Sequence, residues 1–96
     1  MMLTGKQKRY LRSLAVNEKA LVQIGKDGLS DNIIDSIKQL LKAKELVKIN
    51  ILKTCEVDLY ELMINILAST GSELVQIIGK NIIIYKPSKE RIIKLP

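Results

Sequence analysis

The stretch that decides the fold reads ALVQIGKDGLSDNIIDSIKQLLKAKELVKINIL (residues 20–52). It predicts a strand over Ala20–Ile24, a glycine-containing turn, a helix that Ser30 caps, and a second strand over residues 46–52. Apolar residues spaced three and four positions apart indicate the helix. Alternating apolar and polar side chains indicate a strand with one buried face. Such a strand–helix–strand unit predicts a right-handed crossover within one sheet.

Two further helices are predicted on either side of this unit. Thr4 and Gln7 have the spacing of a capping box, so a first helix is expected to begin after Thr4. A third helix is predicted over residues 56–70, because apolar residues again recur on one face. Gly71 is the expected stop of that helix.

The end of the chain predicts a hairpin. Strands are expected over Glu73–Ile78 and Asn81–Tyr85, with Gly79 and Lys80 as the turn between them. The element order is therefore α-β-α-β-α-β-β. We expect an α/β fold of the two-layer kind: a four-stranded mixed sheet with helices mainly on one face.

The length indicates one domain over residues 1–96. Its core is expected over about residues 3–88, and residues 89–96 form a tail for which no element is predicted. Alternation along the strands places Val75 and Ile77 in the core with the other apolar strand residues. The polar strand residues expected to face away from it are Gln23, Lys48, Asn50 and Gln76. This polar face could bind RNA or be an ordinary solvated surface, and the pattern alone favours the second reading.

Composition excludes several function classes. The chain has no His and a single Cys, Cys55, so it lacks nucleophile–histidine arrangements, the usual zinc sites and any internal disulfide. The acidic residues Glu56, Asp58 and Glu61 lie close in sequence, but acids at a helix start explain them. We therefore expect no enzyme, no cofactor and no metal. With no apolar run long enough to span a bilayer, a cytoplasmic protein is expected.

Charge indicates a polyanionic partner. The formal net charge is +6 and the pI is about 9.6, which favours nucleic acid first and an anionic membrane surface second. The first predicted helix carries four of the basic residues and no acid. These are Lys6, Lys8, Arg9 and Arg12. Weaker candidates for contacts with a polyanion are Lys48, Lys80 and Lys86.

The turn Gly25-Lys26-Asp27-Gly28 has the G-x-x-G pattern. Its glycines allow a tight turn and close approach to a ligand, and the helix start that follows suits a phosphate. KH modules use such a loop to clamp a nucleic-acid backbone. Many turns use glycine only for its positive φ, and Asp27 places a negative charge in the loop. Because the chain offers few aromatic rings, recognition should depend on charge and RNA shape.

Five segments resemble the bacterial YhbY-type proteins, which are free-standing CRM (chloroplast RNA splicing and ribosome maturation) domains. They are LTGKQKRYLRSLA (residues 3–15), VQIGKDGL (22–29), ELVKI (45–49), TGSELVQIIG (70–79) and IYKPS (84–88). The family often has His, Pro and Arg where this chain has Val16, Ala20 and Lys80. The first two departures look structural, and the third keeps the charge but loses a planar donor fork.

The resemblance implies a fold like the C-terminal domain of translation initiation factor three. It also implies a role on ribosomal RNA precursors during assembly of the large ribosomal subunit. The implied binding surface combines the G-x-x-G loop, the basic first helix and the adjoining polar strand residues. The expected partner is thus RNA, bound by a monomer without a membrane. The alternative is a protein-interaction module whose basic face docks an acidic partner protein, and charge alone leaves DNA open.

Overall fold

The structure is a computed structural model that describes residues 2–96, and Met1 of the predicted domain lies outside them. The predicted order of elements is confirmed. Their bounds are α1 (Gly5–Ala15), β1 (Ala20–Ile24), α2 (Asp31–Lys44), β2 (Leu46–Ile51), α3 (Leu59–Thr70), β3 (Glu73–Ile78) and β4 (Asn81–Tyr85).

The strands form a mixed sheet in the order β1-β2-β4-β3, which confirms the four-stranded prediction. β1 runs parallel to β2, as a crossover through α2 requires. β4 lies antiparallel between β2 and β3. Ile82, Ile83 and Ile84 are all buried, so this central strand is covered on both faces. A continuous apolar run is the expected sequence for such a strand.

Side-chain caps set two of the helix starts. The Thr4 hydroxyl accepts from the Gln7 backbone N–H, and the Gln7 side chain accepts from the Thr4 N–H, both at 3.1 Å, so the predicted capping box is present. α3 begins three residues later than the predicted position 56. The reason is Asp58, whose carboxylate accepts from the N–H groups of Tyr60 and Glu61 at 3.1 and 3.2 Å and so acts as the N-cap.

Two apolar clusters lie on opposite faces of the sheet. The larger packs α2 and α3 against one face, around Ile49 and Ile66. The smaller packs α1 against the other face, around Leu11 and Ile83, and it contains Val75. The prediction that Val75 faces the same core as the other apolar strand residues was wrong. β3 has a bulge between Leu74 and Gln76, which shifts the alternation and places Val75 in the smaller cluster.

The tail lies on the same face of the sheet as α1, and hydrogen bonds to Glu45 fix its position. Glu45 ends α2 with a positive φ of 68° and is 0 % exposed. Its carboxylate accepts from the backbone N–H and hydroxyl of Ser88 at 2.6 and 2.7 Å, and from the Ile93 N–H at 2.6 Å. Leu95 and Ile93 pack against the smaller cluster. α1 and the tail thus cover one half of this sheet face.

Candidate nucleic-acid interface

The G-x-x-G loop is a tight turn built by its two glycines. The Gly28 N–H donates to the Gly25 carbonyl at 3.0 Å, and Gly28 has a φ of +65°. A Cβ on Gly25 would lie 3.2 Å from the Thr54 hydroxyl, so this glycine packs closely on the loop before α3. Lys26 and Asp27 are exposed at the tip. The backbone of the turn therefore explains why both positions are glycine. A ligand would contact the exposed tip of the loop.

The start of α2 is a poorer phosphate site than the sequence suggested. The helix begins at Asp31, after two further residues beyond Gly28, and the Ser30 hydroxyl accepts from the Ile33 N–H at 3.2 Å. That contact uses one of the free N–H groups. The carboxylates of Asp27 and Asp31 add negative charge at the same place. A phosphate is favoured at the Lys26 side of the loop.

The half of the sheet that α1 and the tail leave uncovered is polar. Asn50 and Asn81 face each other across β2 and β4, and the amide of Asn50 donates to the Asn81 side-chain oxygen at 3.0 Å. Gln23 pairs with Asn50 from β1 and is exposed. Lys48, the next residue on this face of β2, is half-buried. This strip borders the ends of β1 and β2, where the G-x-x-G loop begins.

Two basic residues of α1 lie on the flank away from the tail. Leu11 is buried against the sheet, and Gln7, on one flank of α1, donates to the Pro96 carbonyl of the tail at 3.4 Å. At 3.6 residues per turn, Lys8 and Arg12 lie one turn apart on the opposite flank. Both are half-buried. The tail therefore meets one flank of α1, and Lys8 and Arg12 lie on the flank that it leaves free.

The remaining predicted lysines separate into two groups. Lys80 is exposed in the β3–β4 turn, and its carbonyl accepts from the Ile51 N–H at 2.7 Å, so it lies at the same sheet end as the G-x-x-G loop. Lys86 lies at the opposite end, where its ammonium donates to the Thr70 carbonyl at 2.8 Å. The structure does not bring Lys86 to the other candidates.

We call the assembled region the α1 surface. It contains the uncovered polar strip, the exposed Lys6 and Arg9 on the outer side of α1, and the basic groups around them. Its members are Lys6, Lys8, Arg9, Arg12, Gln23, Gly25, Lys26, Asp27, Gly28, Lys48, Asn50, Gln76, Lys80 and Asn81.

The other side of the same sheet end is acidic. α2 and α3 both begin there, because β1 and β2 are parallel and each leads into a helix at the end where it stops. Six exposed carboxylates lie on these helix starts and their loops. They are Asp27, Asp31, Asp35, Glu56, Asp58 and Glu61. The sequence indicates Asp27 in its loop and the last three at a helix start; the topology adds Asp31 and Asp35 and brings all six to one end of the sheet. The G-x-x-G loop thus marks a boundary between a basic and an acidic side.

The part of the chain that the structure describes has neither a cluster of metal ligands nor a membrane-spanning helix. In that part of the chain, no group of three or more His, Cys, Asp or Glu side chains is placed to hold a metal ion. Likewise, none of the helices within residues 2–96 has both the length and the apolar character needed to cross a bilayer.

Comparisons with known proteins agree on one family. A family model described as the CRS1/YhbY (CRM) domain matches residues 3–86. The probable RNA-binding protein YqeI of Bacillus subtilis is 46% identical over 96 residues, covering 99% of this chain and 100% of the relative. An RNA-binding protein of Haemophilus influenzae is 34% identical, covering 98% and 95%. The solution structure of SAV1595 from Staphylococcus aureus matches with a TM-score of 0.82 and 50% identity, covering 99% and 100%.

Proposed function

The chain belongs to the CRS1/YhbY (CRM) domain family, and on this premise we propose that it binds RNA through the α1 surface. The family is non-catalytic, and its relatives carry names that describe RNA-binding proteins. The observation that carries the proposal is that Lys8 and Arg12 lie on the flank of α1 opposite the one whose Gln7 meets the tail. In this proposal their cations and the polar strip together lead to the exposed tip of the G-x-x-G loop.

Contacts of the phosphate backbone supply most of the affinity in this proposal. Lys6, Lys8, Arg9 and Arg12 form charge-assisted hydrogen bonds with phosphates, and Lys26 adds a further cation at the loop. If four to six phosphates are neutralised, log K falls with log salt at a slope of roughly −3 to −5. A salt-independent affinity would contradict this mechanism.

The proposed surface reads shape, with no ring on its strands for a base to stack on. Tyr85, the ring of the final strand, is only 1 % exposed and belongs to the smaller apolar cluster. The Gln23 amide, and the amide groups of Asn50 and Asn81 that their mutual hydrogen bond does not use, instead bond ribose hydroxyls and base edges in this proposal. Recognition of this kind suits a folded RNA whose backbone already has the matching shape.

The acidic side confines the RNA to one half of the molecule. A phosphodiester that passed beyond the G-x-x-G loop would meet the carboxylates at the starts of α2 and α3, and like charges at short range are repulsive. The strand therefore approaches the loop from the α1 side. This direction distinguishes the proposal from one in which net charge alone attracts RNA.

The finer parts of the proposal rest on family resemblance. We propose that the bound RNA is a ribosomal RNA precursor, that binding assists assembly of the large ribosomal subunit, and that a cytoplasmic monomer does so. Crosslinking in cells, followed by sequencing of the bound RNA, tests this choice of RNA. Enrichment of messenger RNA over ribosomal RNA would contradict it.

A charge-reversal pair tests the surface itself. Lys8→Glu with Arg12→Glu should weaken binding to a structured ribosomal RNA fragment at least tenfold and reduce the salt slope by about 2. The matched control is Lys19→Glu with Lys44→Glu, which makes the same charge change at the far end of the sheet. Equal losses in both pairs would show that only net charge matters. Duplex DNA of equal length measures the RNA preference.

The alternative of an acidic protein partner is separated by a pull-down with and without nuclease. Partners that depend on RNA are lost after nuclease treatment, whereas a directly docked acidic protein is retained. Retention of the partners, together with their loss in the Lys8 and Arg12 variant, would replace the RNA proposal.

A further inference from the structure

A second basic concavity lies at the opposite end of the sheet from the G-x-x-G loop. It has a volume of about 720 Å³ and is formed by the last turns of α2 and α3, the end of β4 and the start of the tail. Four lysines and one glutamate supply its formal charge, a surplus of three positive charges. They are Lys38, Lys42, Lys86, Lys89 and Glu90. Only Lys86 was singled out by the sequence, and the α1 surface does not use it.

The lysines of this cavity approach it from three directions. Lys38 and Lys42 lie one turn apart on the same face of α2. Lys86 enters from the end of β4, and its position is fixed because its ammonium donates to the Thr70 carbonyl at 2.8 Å. Lys89 enters from the tail and is exposed. Convergence from separate elements makes this a shaped cationic site, unlike a row of lysines on one helix.

Several acceptors beside the cavity already have hydrogen-bond donors, whereas the Glu90 carboxylate of its lining is exposed. The buried Glu45 carboxylate is taken by Ser88 and the tail N–H groups. At the end of α3, the Thr70 carbonyl accepts from Lys86 and the Leu67 carbonyl accepts from the Gly71 N–H at 2.9 Å. Lys86 is engaged at the end of α3, which leaves the exposed ammonium groups of Lys38, Lys42 and Lys89 to meet an anion.

We propose that this cavity binds a phosphate group. Several ammonium donors around one concave site suit a compact multivalent anion better than a single carboxylate. The volume lies within the roughly 300–1,000 Å³ of small-ligand sites. The phosphate could belong to a free phosphomonoester, such as a nucleotide, or to a distant segment of a bound RNA. Strand β2, of six residues, separates the cavity from the G-x-x-G loop by about 20 Å.

Amide NMR with inorganic phosphate and with adenosine monophosphate as probes tests the site. The Gly71 and Lys89 amides should shift in a saturable manner. Lys38→Gln with Lys42→Gln should weaken that binding at least tenfold without unfolding, because both side chains are exposed on α2. Lys19→Gln with Lys44→Gln removes the same charge at the same end of the sheet but outside the cavity lining, and it should leave the shifts intact.

The salt dependence of RNA binding identifies the source of the phosphate. If the cavity holds RNA backbone, the Lys38 and Lys42 pair should reduce the slope of log K against log salt by about 2. If it holds a free phosphomonoester, the slope stays unchanged while the NMR shifts depend on both lysines. Cavity amides that do not respond to either probe, together with an unchanged RNA slope, would overturn the proposal. The Lys8 and Arg12 variant should keep the cavity shifts, so failure of the α1 surface is separately visible.

Discussion

Replacing Glu45 by Gln tests the buried carboxylate that joins α2 to the tail. In the native side chain, two oxygens accept three hydrogen bonds of 2.6 to 2.7 Å from Ser88 and Ile93. Glutamine keeps the shape but offers a single acceptor oxygen and turns an NH₂ group toward a donor. The substitution also removes the negative charge that strengthens these contacts.

The expected loss follows from these contacts. A hydrogen bond to a charged group contributes about 1.5–3 kcal/mol, and bonds that share one carboxylate are not additive. We therefore expect Glu45→Gln to reduce the free energy of unfolding by about 3 kcal/mol at neutral pH. In a domain of this length, that loss lowers the melting temperature by about 12–24 °C.

The effect should depend on pH with a definite sign. Burial raises the pKa of the Glu45 carboxyl, but hydrogen bonds from Ile93 and Ser88 outweigh it and hold the pKa below its usual value. A lowered pKa in the folded state gives stability that is complete above the unfolded pKa of about 4.3. That stability is lost as the pH falls through the folded pKa. The stability gap between wild type and Glu45→Gln should therefore narrow in acid.

Urea unfolding followed by circular dichroism, from pH 7 down to pH 3, measures both expectations. Glu90→Gln is the matched control, because Glu90 is an exposed glutamate in the same tail and its amide should leave the stability unchanged. Equal stability of Glu45→Gln and wild type at pH 7 would refute the role of the carboxylate. A gap that stays constant into acid would refute the charge-assisted part of the reasoning.

Three further substitutions test local features. Gly28→Ala should cost about 1 kcal/mol, because an L residue is strained at φ +65°, and urea unfolding measures it. Asp58→Ala removes the N-cap of α3 and should cost about 1 kcal/mol; unchanged stability would show that the cap contributes nothing. Leu11→Ala empties the centre of the smaller cluster, where Leu11 is fully buried, and should cost about 2–5 kcal/mol, with a sharper loss of α1 packing than of the larger core.

The strands and their order could be predicted because their determinants are local. Alternation, glycine turns and caps are written in short segments, and three strand ranges, among them Ala20–Ile24, agree with the structure. The side-chain direction of Val75 could not be predicted, because a bulge depends on pairing with β4. The path of the tail could not be predicted from the sequence either. It depends on Glu45, a charged residue at a helix end whose burial has no signal in the local pattern.

The candidate site was predictable as a set of residues but not as a surface. The helical pattern identifies Lys8 and Arg12 as basic residues of α1, yet it cannot say which flank of the helix the tail covers. The contact between Gln7 and Pro96 shows this, and it joins segments that are far apart in the sequence. Lys86 shows a second limit of the sequence. A lysine that is predicted to contact a polyanion can instead donate to a helix carbonyl, as Lys86 does to Thr70.

The net charge of +6 understates the attraction that the α1 surface exerts. Six of the ten acidic residues lie around the starts of α2 and α3, on the far side of the sheet from α1. Their negative charges offset an equal number of positive charges in the net charge. They nevertheless lie across the apolar core from Lys8 and Arg12. Salt screens exposed charges beyond about 8–10 Å, whereas charges that share a face act together. An approaching RNA therefore meets the local excess of α1 first. The acidic side then orients the molecule so that the G-x-x-G loop is the border of contact and not its centre.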